Sequence, residues 1–358
     1  MALSKIDTTN MIEDVPQSKL DNNINFRNII INGGMDLAQR STSVSGITSD
    51  GYNTIDRMRT ACTTMGTWTQ SQSTDVPSGQ GFAKSLKMDC TTADASPAAG
   101  DRIMVRQYIE GQNLQYLKKG TSSAESLTLS FWVKSNKTGT YIAEIYDTDN
   151  ARHINKSYTI DSASTWEKKT ITFEGDTTGT INNDNGDSFH FGFWLGAGSN
   201  YTSGTLQTSW GPNAASNRAV GNVNLADSTS NEWYITGIQL EAGQTASEFE
   251  FLPYDVNLTR CQRYYIHEYT RANASLDGAY NREGGAVQLP TTMRATPSID
   301  YYFWSKVGHI TCTNTSFPAN DVAEAVTNGL VLYWNNTSSG YRAYGYRANV
   351  EYKLSAEL

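Results

Sequence analysis

Histidine and cysteine are scarce in this chain of 358 residues, four of each, and their placement removes several chemistries. His153, His190, His267 and His309 form no HExxH or HxxxH pair. Cys62, Cys90, Cys261 and Cys312 form no CxxC pair, so a zinc site has no support. The cysteines read as scattered thiols, with a Cys62–Cys90 disulfide as the alternative. There is no GxSxG elbow, no P-loop and no GxGxxG opening a helix. Asp and Glu are numerous, but the sequence does not say which of them face each other across a cleft, as a glycosidase would need. No enzyme, cofactor or bound metal is expected. Lys and Arg number 28 against 36 Asp and Glu, with no basic stripe, so nucleic acid is not an expected partner. No apolar run approaches the roughly 18 residues of a membrane span. Met1 is followed by polar, mixed-charge sequence, which predicts no signal peptide. No repeat of propeller or solenoid length occurs.

What the chain does have is Ser, Thr, Asn, Gly and 20 tyrosines. Apolar residues are 38% and charged residues 18%, both low, which suits β-sheet with long polar loops. The clearest pattern runs from Ser126 to Ala197. Leu127, Leu129, Phe131 and Val133 alternate with Thr128, Ser130, Trp132 and Lys134, and Phe189, Phe191, Phe193 and Leu195 alternate with His190, Gly192, Trp194 and Gly196. Period-two alternation gives each strand one dry and one polar face, and two such sheets enclose a core. Each polar face carries a tryptophan, which asks for a ligand, a covering loop or a partner.

The expected fold class is all-β: an extended N-terminal arm (1–26), a jelly-roll sandwich (27–245) and a second, smaller β-sandwich domain (246–358). The arm is polar, with spaced anchors Leu3, Ile6, Met11, Ile12, Val15 and Leu20; it reads either as a disordered tail or as a segment that orders against another protein. Strands are expected at Asn28–Asn32, Tyr52–Met58, Thr60–Ser71, Phe82–Asp89 and in DRIMVRQYIEG, with a helical turn over Asn113–Lys118. The segment Gly198–Asn231 is long, polar and glycine-rich, and a loop of that length is usually functional or disordered. Asp255 is a candidate N-cap for a short helix that runs into a strand. Glu144 reads as a solvated strand glutamate, and the Asp147–Asn150 and Asn182–Asp187 runs as Asn/Asp/Gly turns rather than calcium loops. Trp132, Trp194, His190, Lys134, Arg106 and Tyr108 combine flat rings with hydrogen-bonding side chains. Such a set suits a sugar, which has an apolar face and a rim of hydroxyls; burial beneath a loop or a subunit is the competing reading. Tyr344, Tyr346 and Tyr352 share a face at the C-terminal end and form either a subunit interface or an ordinary sandwich core.

Several runs taken together resemble a known family. Asn28, Ile30, Ile31, Asn32, Gly33, Met35, Gln39 and Arg40, followed by Tyr52, Asp56 and Arg57, resemble the opening of phage tail-fibre and related virion proteins with a carbohydrate-binding-module-like jelly roll. LTLSFWVKS, TWEKKTITFEGD, WYITGIQLEAG, FEFLPYDVNLTRCQRYY and TMRATPSI follow in the same order. The resemblance implies a non-enzymatic virion component, often a homotrimer. It would attach to other virion proteins through the N-terminal arm, and host surface glycan would be its partner. The family also spans tail adaptors and head decorations; a polysaccharide depolymerase is a further alternative. One departure is Thr236, where such modules often place an acidic residue that helps hold a structural calcium.

Overall fold

The computed structural model describes residues 26–273, 275–276, 282–307, 322–326, 329–335 and 347–358. Its first part is a sandwich of eleven antiparallel strands: β1 Ser43–Tyr52, β2 Arg59–Ser73, β3 Ser85–Thr92, β4 Arg102–Glu110, β5 Leu127–Ser135, β6 Gly139–Asp147, β7 Arg152–Ile160, β8 Glu167–Phe173, β9 Asp187–Ala197, β10 Gly211–Pro212 and β11 Glu232–Ala242. The strand order is β10-β7-β6-β9-β4-β2-β3-β11-β5-β8, with β1 also paired to β2. The long strand β2 belongs to both layers: Arg59–Thr64 pairs with β4, and Thr67–Ser73 pairs with β3. Where the first stretch ends, Thr64 and then Gly66 adopt positive φ (47° and 69°), and a Cβ on Gly66 would stand 2.5 Å from the Thr92 carbonyl oxygen. A strand that changes layers needs such a bend, and here only glycine fits it.

The alternation read in β5 and β9 holds. Leu127, Leu129, Phe131, Val133, Phe189, Phe191, Phe193 and Leu195 all enter one core. Across the layers, Phe131 and Phe193 lie 4.9 Å apart between ring centroids, and Phe193 and Trp233 5.8 Å apart. The inward faces of β5 and β9 therefore meet, and their outward faces lie on opposite sides of the sandwich.

A helix, Tyr254–Gln262, leads into the second part, with Asp255 in its first turn instead of capping it. The remaining strands are β12 Tyr265–Asn273, β13 Ser275–Leu276, β14 Arg282–Gln288, β15 Ser298–Val307, β16 Val322–Val326, β17 Gly329–Asn335 and β18 Arg347–Ser355. They form a sheet β12-β18-β15 and a sheet β13-β14-β17-β16.

The opening motif clasps this second part. Arg57, fully buried, lies 3.5 Å from the Tyr264 ring centre, donates to the Tyr108 carbonyl and pairs with Glu357. Arg40 lies 3.6 Å from the centre of the Tyr265 ring and 3.2 Å from Glu357. Gln39 Nε2 donates to Asp56 (2.6 Å) and to the Tyr265 carbonyl (2.9 Å), and Tyr52 donates its hydroxyl to the Leu358 carbonyl (3.2 Å).

Two local expectations differ, and two strands were not expected. Asn28–Asn32 is a turn, not a strand, because its asparagines bond backbone: Asn28 Oδ1 accepts from Ile30 N–H, and Asn32 Oδ1 from Leu37 N–H. The strand expected at Tyr52–Met58 ends at Tyr52, and Arg57 (φ 70°) turns toward the clasp. The polar strand β1 and the strand β7 were not legible as alternation. Asn113–Lys118 is indeed helical turn. Cys62, Cys90 and Cys261 are free, buried thiols.

Candidate functional site

The outward face of β2, β4, β9, β6 and β7 carries three rows of side chains set by strand register. In the first, Ala61 of β2, Met104 of β4, Trp194 of β9 and Ile142 of β6 lie abreast. Trp194 is fully buried, because the segment after β9 folds back over it: Tyr201 comes within 5.2 Å, and Ala219 and Leu206 complete a small apolar cluster. Gly198–Asn231 is thus an ordered cover. It is pinned by Ala219 N–H to the Tyr201 carbonyl, by Asn213 N–H to the Ala151 carbonyl and by β10 on the edge of β7.

The second row is ionic. Arg59, Arg106, Gly192 and Glu144 lie abreast on β2, β4, β9 and β6. Glu144 is not a solvated glutamate: it is 1% exposed. Arg218, from the covering loop, grips it with both Nε (2.7 Å) and Nη2 (2.5 Å), Trp194 Nε1 donates at 3.3 Å, and Arg106 Nη2 stands 3.6 Å away. Burial would raise the Glu144 carboxyl, but the two guanidiniums outweigh it and hold it at about 2. The Arg106 stem crosses over Gly192, where a Cβ would stand 2.7 Å from Arg106 Cγ.

The third row is aromatic: Tyr108, His190, Tyr146 and His153, one ring from each of β4, β9, β6 and β7, in direct register. Successive centroids are 3.9, 5.8 and 6.4 Å apart, with planes within 25° of parallel. Rings stacked side by side spend their faces on one another, which leaves the hydroxyl and imidazole edges for hydrogen bonds. Arg59 donates to the Tyr108 hydroxyl, and His190 Nε2 bonds Asp187. His190 is 17% exposed at its side chain and Tyr146 half-buried, whereas Tyr108 and His153 are buried. His153 Nε2 accepts from Ala214 N–H (3.2 Å), and its Nδ1 lies 2.7 Å from Asn155 Nδ2. Burial lowers its pKa, so this ring is neutral near pH 7.

The structure therefore gathers Arg106, Tyr108, His190 and Trp194 on one face. Trp132 and Lys134 project from β5, on the other side of the sandwich. There Lys134 is already satisfied by Asp75 and the Tyr234 ring (4.2 Å), and Trp132 is half-buried beside exposed Lys168. Arg59, Tyr146, His153, Asp187 and Arg218 were not foreseen. Tyr146 shares the parity of Glu144 and could have been found by that signal; Arg218 lies in a loop, which has no period. Tyr352 is 3% exposed, and Tyr344 and Tyr346 lie outside the described residues, as do Leu3, Ile6, Met11, Ile12, Val15, Leu20 and Cys312. Thr236 is buried, 2.7 Å from the Lys84 carbonyl. Asp149 binds Asn182 backbone and side chain, tying the two Asn/Asp turns together. Among the described residues no group of three or more His, Cys, Asp and Glu is placed to hold a metal, and no helix is long and apolar enough to cross a membrane.

No protein family and no curated protein matches the sequence. Among solved structures, the chain is distantly similar to carbohydrate-binding-module and related folds. A putative sugar-binding protein from Bacteroides thetaiotaomicron aligns over 60% of this chain and 99% of its own at 11% identity, with a TM-score of 0.31. A carbohydrate-binding module in complex with β-1,4-galactotriose aligns over 60% and 99% at 10% identity, with a TM-score of 0.30. The enzymatically active domain of tailspike protein 4 from bacteriophage CBA120 aligns over 60% of this chain at 14% identity, with a TM-score of 0.32, and the chain spans 21% of that protein's length.

Proposed function

We propose that this protein is a non-enzymatic structural component of a phage particle, a tail fibre, that recognises host surface glycan through the outward face of β4, β9 and β6. The virion assignment rests on the resemblance of the opening motif. The glycan assignment rests on one observation: the in-register row Tyr108–His190–Tyr146, with His190 and Tyr146 partly exposed and Tyr108 buried beneath Arg59, stands beside the Arg106–Glu144–Arg218 charges. A sugar presents a rim of hydroxyls that donate and accept, and a rigid row of such groups held by strand pairing binds it without ordering flexible side chains. Arm residues Leu3, Ile6, Met11, Ile12, Val15 and Leu20 would dock on the virion.

The test is binding of the purified full chain to host cells before and after enzymatic or genetic removal of surface polysaccharide, with its mass measured by light scattering. Binding that disappears with the polysaccharide, from a particle of three chains, is the expected result. Binding that persists on stripped cells, or no binding at any concentration, contradicts glycan recognition; the second outcome favours an architectural role in head or tail.

A further inference from the structure

We propose that the glycan taken by this face is acidic, with a sugar carboxylate seated against the free edges of Arg106 and Arg218. The inference rests on the reading of the face as a glycan site and names the class of sugar it takes.

The charges do not balance. Arg106 and Arg218, two cations, share one carboxylate, that of Glu144. The neighbouring cation, Arg59, is paired with Asp50 at 3.3 Å. Asp187, at the start of β9, bonds His190 Nε2 through Oδ2 and forms no ion pair with Arg106 or Arg218 among the described residues. Glu144 gives both its oxygens to Arg218 and leaves Arg106 at 3.6 Å, beyond hydrogen-bond reach. The acceptor Arg106 does find, for Nε (3.1 Å) and Nη2 (2.7 Å), is the thioether of Met104, a weak acceptor with no charge. Arg106 is nevertheless only 6% exposed. Among the described residues, Nη1 of Arg106 and Nη1 of Arg218 donate to no protein group, and neither is among the fully enclosed polar atoms that lack a partner.

A guanidinium nine-tenths removed from water that only shares a carboxylate 3.6 Å away is incompletely compensated, and part of that cost is recovered when a second anion arrives. The planar fork of each guanidinium matches a carboxylate. Tyr146 lies beneath Arg218, whose guanidinium is 5.0 Å from the ring centre, and His190 stands between Tyr146 and Tyr108. A sugar whose carboxylate reached the two Nη1 groups would thus rest its hydroxyls along the ring row. A neutral sugar could use the ring row but would leave Arg106 as it is.

The experiment is an array of bacterial surface polysaccharides in which every acidic polymer is printed beside its carboxyl-reduced form, probed with the full-length protein and with Arg106→Gln. Retained thermal midpoint of the variant is checked first. Binding of one or more acidic polymers with at least a tenfold loss on carboxyl reduction, and a variant that binds both forms alike, is the expected result. Equal binding of native and reduced forms by the wild-type protein overturns the acidic assignment and leaves the glycan reading standing. Absence of binding to every polymer overturns both. Because the decisive comparison is made with the wild-type chain, it holds even if the variant fails to fold.

Discussion

Glu144 is the residue on which the outward face depends. It pairs with Arg218 through both oxygens and with Arg106 at 3.6 Å, its own carboxylate being buried. Replacing it with glutamine leaves two buried guanidiniums facing each other, and the expected loss is about 3–5 kcal/mol in urea unfolding at pH 7. The same carboxyl sets an acid limb. Its folded pKa is held near 2 against an ordinary value of 4.5, so its contribution is complete above pH 4.5 and is lost as pH falls through 2. That contribution is about 3 kcal/mol. Unfolding free energy measured from pH 6 to pH 2 should fall less steeply in Glu144→Gln than in the wild-type chain; parallel curves would show that the pair carries no such linkage. Gly192 is the second such residue. A methyl group there meets Arg106 Cγ at 2.7 Å and the Val105 carbonyl at 2.9 Å, so Gly192→Ala should cost about 1–3 kcal/mol and shift Arg106. Unchanged stability in that variant would mean that the Arg106 stem moves freely.

At the scale of elements, the covering segment between β9 and β11 decides what the face exposes. Alternation in DSFHFGFWLGA correctly put Trp194 on the outward side, since parity is a local property of the strand. Whether that side is wet is not local: Tyr201, Leu206 and Ala219 arrive from a glycine-rich stretch with no period, so loop burial stood only as one of two readings. Trp194→Ala should therefore act as a core deletion, lowering stability by about 3–5 kcal/mol, as read in thermal or urea unfolding. A stable Trp194→Ala chain would mean that the cover is loose. The pairing of rings was hidden for a related reason. Tyr108, His190, Tyr146 and His153 are far apart in sequence, and only the order β4-β9-β6-β7 makes them neighbours. β1 escaped notice because SVSGITSDGY is largely exposed and polar, its residues held by pairing with β2 instead of by a buried face. By contrast, the opening motif was visible in sequence but its physical purpose was not. Gln39, Arg40 and Arg57 reach Tyr264, Tyr265 and Glu357, more than 200 positions later.

For the whole molecule, that clasp ties the sandwich to the sheet β12-β18-β15. Glu357 answers Arg57, a fully buried cation, and Glu357→Gln should cost about 3–5 kcal/mol. If the clasp joins two units, the variant should also separate a single unfolding transition into two in calorimetry. A single transition at the wild-type temperature would show that Glu357 does not hold the parts together. The sandwich then presents two outward faces: one carries the ring row and the guanidiniums around Glu144, and the other carries Trp132 and the Trp166–Tyr234 pair with Lys134. Comparing those faces is the most direct test of glycan recognition. Equilibrium binding of host surface polysaccharide should be measured for the full-length chain, for Tyr146→Ala on the ring row and for Trp132→Ala on the opposite face, with matched thermal midpoints and masses. The account predicts at least a tenfold loss for Tyr146→Ala and wild-type binding for Trp132→Ala. Wild-type binding by Tyr146→Ala, or loss confined to Trp132→Ala, would contradict it.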